Sequence, residues 1–219
     1  MAGVEPGLRT GRAGMTRRDF LAIALCAGAG WRCAEAQTPP AELMGALRQG
    51  GLVIFLRHAA TVATQVDTGR LGDRAGQRNL SNAGIQQARE IGDSLRALKV
   101  PLAEILVSPV FRARDTGALA FGADSIRVTM DLVADDYAGS GVSQMVAATR
   151  RLLTAATPAG QNRLLIGHRT PLQLVTGQPF SDAILPEGAM AIFAPGRSEP
   201  QLLGTITSAQ LAAAAKAAR

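Results

Sequence analysis

Cysteine is almost missing from this sequence: its two copies, Cys26 and Cys33, both fall in the first 36 residues. The remainder can form no disulfide and run no thiol chemistry. Histidine is equally scarce, with only His58 and His168, so no Cys/His cluster of metal-ligand spacing exists and no cofactor is called for. Long apolar runs are missing too. The longest candidate, Phe20–Gly30, has 11 residues, well under the roughly 20 that span a bilayer. Lysine occurs twice among 23 basic residues, so the positive charge is almost wholly arginine. Arginine's planar fork of donors suits phosphate and carboxylate oxygens, although a GC-rich coding sequence would give the same bias.

The first 36 residues read as an export signal. Arg17-Arg18-Asp19-Phe20-Leu21 precedes a short apolar stretch of small residues, and Ala34-Glu35-Ala36 is a small-x-small cleavage site. The paired arginines with Phe20-Leu21 resemble the twin-arginine type, and cleavage is expected after Ala36, giving a periplasmic protein with no stable membrane insertion. Residues 1–14 do not look like an n-region, so translation starts at Met1 or at Met15. Beyond residue 36 there are 18 basic and 14 acidic side chains, a net charge of +4. This is a mild field that draws in small phosphorylated ligands and falls far short of a nucleic-acid footprint. Oligomeric state is not legible.

With 219 residues and 47% apolar content the chain can build one α/β core. Residues 37–50 read as a linker or short helix containing Thr38-Pro39-Pro40. From 51 to 207 the pattern alternates strands and helices, without repeats or an internal boundary. Gly51–Leu56 is a continuous apolar run, as in a strand covered on both faces. Residues 60–78 form a polar, Gly-rich loop whose length marks it as functional. Ser81 is the expected N-cap of a helix over 82–98, with Ile85, Ala88, Ile91 and Leu95 on one face. Residues 105–107 are a second strand, and Pro109 is expected to open the next helix. A helix over 142–156 leads to a strand at 163–166, and Pro171 begins another helix. Residues 189–194 and 201–206 flank Pro195-Gly196 as a hairpin. The Ala-rich residues 208–219 are a surface helix or a frayed tail. The pattern as a whole predicts an α/β/α sandwich around a mostly parallel sheet.

Both histidines follow predicted strands, in Leu56-Arg57-His58 and Ile166-Gly167-His168, and Ser108-Pro109 with Arg112 follows a third. Ligand crevices of open α/β sheets lie at such strand ends. Two histidines and two arginines can therefore converge on one pocket. A neutral imidazole is a competent nucleophile near neutral pH. Guanidinium groups stabilise the charge that spreads over phosphate oxygens during transfer.

Four segments in order resemble the histidine phosphatase (phosphoglycerate mutase-like) superfamily. Leu56-Arg57-His58-Ala59-Ala60-Thr61 is similar to its Arg-His-Gly signature, and Asn79-Leu80-Ser81-x-x-Gly84-x-x-Gln87-Ala88 to its first-helix motif. Ser108-Pro109-x-x-Arg112-Ala113-x-x-Thr116 is similar to its second-arginine motif, and Ile166-Gly167-His168 to its second-histidine motif. The resemblance covers about residues 50–195. It implies a phosphomonoesterase with His58 as nucleophile and with Arg57, Arg112 and His168 around the phosphate; the transfer chemistry itself calls for a protonated His168 as a third cationic contact and for no metal. Thr61 falls where a hydroxyl often approaches the phosphate. Ala59 replaces the usual Gly, Gly117 a usual Ala, and Asp115 a Gln or Glu. Arg169 adds a positive group at the rim. The general acid is expected in Asp131–Tyr137, as Asp136 or Asp135, with Glu187 as the alternative. Two other functions fit the same residues: a phosphoglycerate mutase-type phosphotransferase, and a non-catalytic binder of phosphorylated ligands.

Overall fold

Apolar runs that do not alternate become strands sealed on both faces, and β1 (Val53–Arg57) shows this with all five residues buried. The computed structural model describes residues 37–218. The 1–36 segment, with its expected export signal and cleavage site, lies outside the described residues.

Around β1 the chain builds β2 (Leu102–Val107), β3 (Arg127–Val128), β4 (Asn162–Gly167), β5 (Met190–Ala194) and β6 (Gln201–Ile206). They form one sheet in the order β3-β2-β4-β1-β5-β6. β1 to β4 pair in parallel, whereas β5 runs antiparallel to β1 and forms the expected hairpin with β6. Seven helices accompany the sheet among the described residues: α1 (Pro40–Gln49), α2 (Asn82–Ala97), α3 (Phe111–Phe121), α4 (Asp135–Ala138), α5 (Val142–Thr154), α6 (Arg169–Thr176) and α7 (Ser208–Ala217). Successive strand residues face opposite sides. Ile54 and Leu56 join one core with Leu47 of α1, Ile91 and Leu95 of α2 and Leu211 of α7. Val53 and Phe55 join the other with Leu153 of α5 and Leu172 and Val175 of α6. The result is the three-layer α/β/α arrangement the pattern predicts.

Two predicted helix starts are displaced. Pro109 does not open α3, which begins at Phe111. The Val110 carbonyl is its first acceptor, and the Phe111 N–H is taken by the side chain of Gln77. Pro171 is the third residue of α6 rather than its first, still within the turn where a missing N–H breaks no bond. Ser81 caps α2 as expected, its Oγ accepting from the Gly84 N–H at 3.1 Å. α7 is closed by a capping box between Thr207 and Gln210.

Candidate active site

Register decides what meets at the carboxyl end of the sheet. Arg57 pairs with Gly167 and Val107 with Ile166, so His58, Ser108 and His168 leave three neighbouring strands side by side. The two imidazole centroids lie 5.4 Å apart. They share a cavity of about 150 Å³ with Arg57, Arg112, Asp135, Asp136 and Glu187. A larger groove of about 510 Å³, between Met130 and α5, holds none of these residues.

His58 is buried, and its Nδ1 lies 2.9 Å from the Ala59 carbonyl. A carbonyl can only accept, so we assign the proton to Nδ1 and the lone pair to Nε2. Burial first, then the Arg112 charge, lowers its pKa to about 3, so the ring is neutral at physiological pH. The backbone behind it is held by the motif residues. The Ala59 N–H donates to Thr116 Oγ1 at 2.9 Å, and that hydroxyl donates to the Arg112 carbonyl at 2.6 Å. The Ala60 N–H donates to Gln87 Oε1 at 2.9 Å, while Gln87 Nε2 donates to the Glu187 carbonyl and to Ser208 Oγ. Gly84 lies so near this loop that a Cβ there would sit 1.9 Å from the Ala60 oxygen. The Ala59 methyl packs with Leu80 and Ala88. Gly117 lets α3 approach the sheet, since a Cβ would lie 2.8 Å from Val107 Cγ1.

Arg57 donates from Nη1 to Asp182 at 2.6 Å and to the Leu185 carbonyl at 2.8 Å. Arg169 shares Asp182 at 2.6 Å and lines the cavity, so it is paired at the rim rather than freely solvated. The two guanidinium groups, Arg57 first, lower the pKa of Asp182 to about 2. Arg112 donates from Nη1 to both oxygens of Asp67, at 2.9 and 3.0 Å. His168 Nε2 is 2.8 Å from Ser108 Oγ, which accepts from the Val110 N–H. We assign the hydroxyl proton to Nε2, which leaves His168 Nδ1–H as a donor. Burial, reinforced by Arg112, His58 and Arg57, holds His168 well below the ordinary imidazole range. The protonated His168 of the sequence reading is therefore a neutral donor in the free cavity.

Three buried side-chain nitrogens have no hydrogen-bond partner among the described residues: Arg57 Nε, Arg78 Nε and His168 Nδ1. All three belong to residues that line this cavity.

Thr61 is buried one step behind the cavity. Its hydroxyl donates to Glu187 Oε1 at 2.8 Å and accepts from Arg78 Nη2 at 2.6 Å, and its N–H donates to Glu187 Oε2. Both oxygens of Glu187 are thus occupied as acceptors. Asp135 and Asp136 open α4 at the cavity wall. Burial, with the Asp136 charge adding to it, raises the pKa of Asp135; Asp136 is exposed.

Sequence reasoning missed Asp67, Arg78, Tyr137 and Asp182. Asp67 and Arg78 lie on the loop that its length marks as functional. That loop is pinned to α3: Arg74 makes a bidentate pair with Asp115 at 2.6 and 3.0 Å and stacks 3.9 Å over the Phe111 ring. This pairing is the use to which the departure at Asp115 is put.

Residues 53–133 match the histidine phosphatase superfamily (branch 1). The match takes in Arg57, His58, Asp67, Arg78 and Arg112 and stops two residues short of Asp135. No curated protein matches the chain. Among solved structures, the protein histidine phosphatase SixA complexed with tungstate is similar in fold, with a TM-score of 0.51 at 17% identity over 73% of this chain and 99% of that one. The product of open reading frame Rv3214 from Mycobacterium tuberculosis gives 0.49 at 18% over 72% and 98%. A phosphoserine phosphatase from Entamoeba histolytica in complex with 3-phosphoglyceric acid gives 0.47 at 14% over 73% and 98%.

Proposed function

We propose that this chain, whose residues 53–133 match the histidine phosphatase superfamily, is a phosphomonoester hydrolase of that superfamily that passes the phosphoryl group through His58. One observation carries the reading. Arg57 and His168, whose Nε and Nδ1 are buried without a partner, line one small cavity with His58, whose lone pair is assigned to Nε2. An unpaired buried donor costs about 1–3 kcal/mol, and the oxygens of a phosphoryl group supply what both lack.

The chemistry follows from these groups. His58 Nε2 gives its lone pair to phosphorus as the ester P–O bond breaks, and the leaving oxygen takes a proton from a carboxylic acid. The ring charge that develops is stabilised through Nδ1–H by the Ala59 carbonyl. Water, deprotonated by the same carboxylate, then attacks phosphorus. The P–N bond breaks, its electron pair returns to Nε2, and inorganic phosphate leaves. Arg57, Arg112 and His168 hold the oxygens throughout.

Nothing in this sequence of steps needs a metal, and no group of three or more His, Cys, Asp or Glu side chains among the described residues is arranged to hold one. The purified protein should release phosphate from 4-nitrophenyl phosphate at the same rate with and without EDTA. No turnover would sink the reading, and a loss in EDTA restored by a divalent ion would sink its metal-free form.

The enzyme is read as exported and folded before it crosses the membrane, supported by the Arg17-Arg18 pair and the lack of cysteine after residue 36. Fractionation of cells making the Arg17→Lys, Arg18→Lys variant should show activity retained inside. Undiminished periplasmic activity would exclude a twin-arginine route.

A further inference from the structure

We propose that Arg78 is a third guanidinium of the phosphoryl site and that Asp67 is the positioning residue that sets it there. The proposal rests on reading the cavity as a phosphoryl-transfer site.

Arg78 lines the cavity with His58, and its Nε is buried without a partner. Its other end is fixed: Nη2 donates to Thr61 Oγ1 at 2.6 Å and lies 3.7 Å from Glu187 Oε1. An arginine serving only to brace Thr61 and Glu187 would have no reason to bury an unsatisfied donor. A guanidinium held at one corner, with an unpartnered N–H and a place in the cavity that His58 lines, is preorganised for an oxyanion.

The charges facing the cavity argue the same way. Its lining holds four arginines, Arg57, Arg78, Arg112 and Arg169, against four carboxyl groups, Asp67, Asp135, Asp136 and Glu187. Both imidazoles are neutral in the free protein. With Asp135 holding the proton that an acid role requires, Arg78 turns an even balance of three guanidinium groups and three carboxylates into a positive one, which suits a dianionic phosphoryl group.

Asp67 sets the placement. Its Oδ1 accepts from the Arg78 backbone N–H at 3.0 Å, from Arg112 Nη1 at 2.9 Å and from the Tyr137 hydroxyl at 2.6 Å. One carboxylate thus ties the main chain of Arg78 to the side chain of Arg112 and, through Tyr137, to α4, which carries Asp135. These donors outweigh burial and hold it ionised.

The test uses tungstate as the oxyanion probe, with kcat/KM for 4-nitrophenyl phosphate and the melting temperature measured beside it. Arg78→Ala should lower kcat/KM by about 10²–10³ and weaken competitive inhibition by tungstate at least as visibly. Added ethylguanidinium should restore part of the activity to Arg78→Ala and none to the wild type, which a bracing role would not produce. Asp67→Asn should lower kcat/KM in the wild-type background and cost less when Arg78 is already alanine, since the two act as a unit. Additive losses would remove Asp67 from the positioning role. If Arg78→Ala does not fold, Arg78→Lys carries the test: about tenfold weaker tungstate binding is expected, because a point charge lacks the fork. Wild-type tungstate inhibition and kcat/KM in a folded Arg78 variant would overturn the proposal and leave the phosphatase reading intact. Failure of the wild type to hydrolyse the ester or bind tungstate would instead bring down the reading beneath it.

Discussion

His58→Ala should abolish phosphoester hydrolysis, with a loss of roughly 10⁴–10⁶ in kcat of the kind seen when a covalent nucleophile is removed, while the protein stays folded. The magnitude follows from how completely the site is organised around that one nitrogen. Nδ1–H is committed to the Ala59 carbonyl, so Nε2 is the only position from which the ring can attack. His168 cannot take over, because its Nε2 is engaged by Ser108 and its Nδ1 is assigned a proton. Truncation also leaves the cations in place: Arg57 keeps Asp182 and Leu185, and Arg112 keeps Asp67. His58→Ala should therefore still bind tungstate. Rapid quenching of the wild type with a labelled ester, followed by mass spectrometry, should find the phosphoryl group on His58. Label on His168, or wild-type turnover in His58→Ala, would refute the assignment.

The parts of this site legible in the sequence are those that short-range pattern controls. An apolar run ending abruptly in Arg57-His58 announces a buried strand delivering polar groups at its end, and the same holds for Gly167-His168. Ser81 and Gly84 announce a helix start, because capping chemistry is local. What could not be read is set by contacts far apart in the chain. Asp67 meets Arg112 across 45 residues and Tyr137 across 70, and no periodicity encodes either pairing. Thr61 shows the limit from the other side. Its place three residues after His58 suggests a hydroxyl facing phosphate, yet Glu187, 126 residues on, claims that hydroxyl. α7 is a milder case. Thr207-x-x-Gln210 is a capping box in plain view, but so many alanines give too little apolar period to separate a helix from a tail.

Asp135→Asn should cut turnover of an alkyl phosphate by about 10²–10⁴, the usual worth of a positioned acid, and leave 4-nitrophenyl phosphate nearly untouched. An alkoxide is too basic to depart without a proton, whereas a nitrophenolate departs unaided. The sequence reading puts Asp136 first and Asp135 beside it, and their environments favour the reverse order. Asp136 is exposed; burial and the neighbouring Asp136 charge raise the pKa of Asp135, so its carboxyl keeps its proton to higher pH than an ordinary one. The sign of the pH dependence follows. Only the protonated form donates, so kcat for the alkyl ester should be highest at low pH and fall as pH rises through the raised Asp135 pKa, a limb missing from the nitrophenyl profile. Asp136→Asn removes the like charge beside Asp135 and should move that limb to lower pH without abolishing it. Glu187→Gln should weaken both esters alike, because Glu187 accepts from Thr61 at both oxygens and acts through position. If Asp135→Asn slows the two esters equally, Asp135 supports binding and the proton comes from another group. If Asp136→Asn alone shows the ester discrimination, the acid is Asp136, and its exposed carboxyl must be drawn inward when substrate binds.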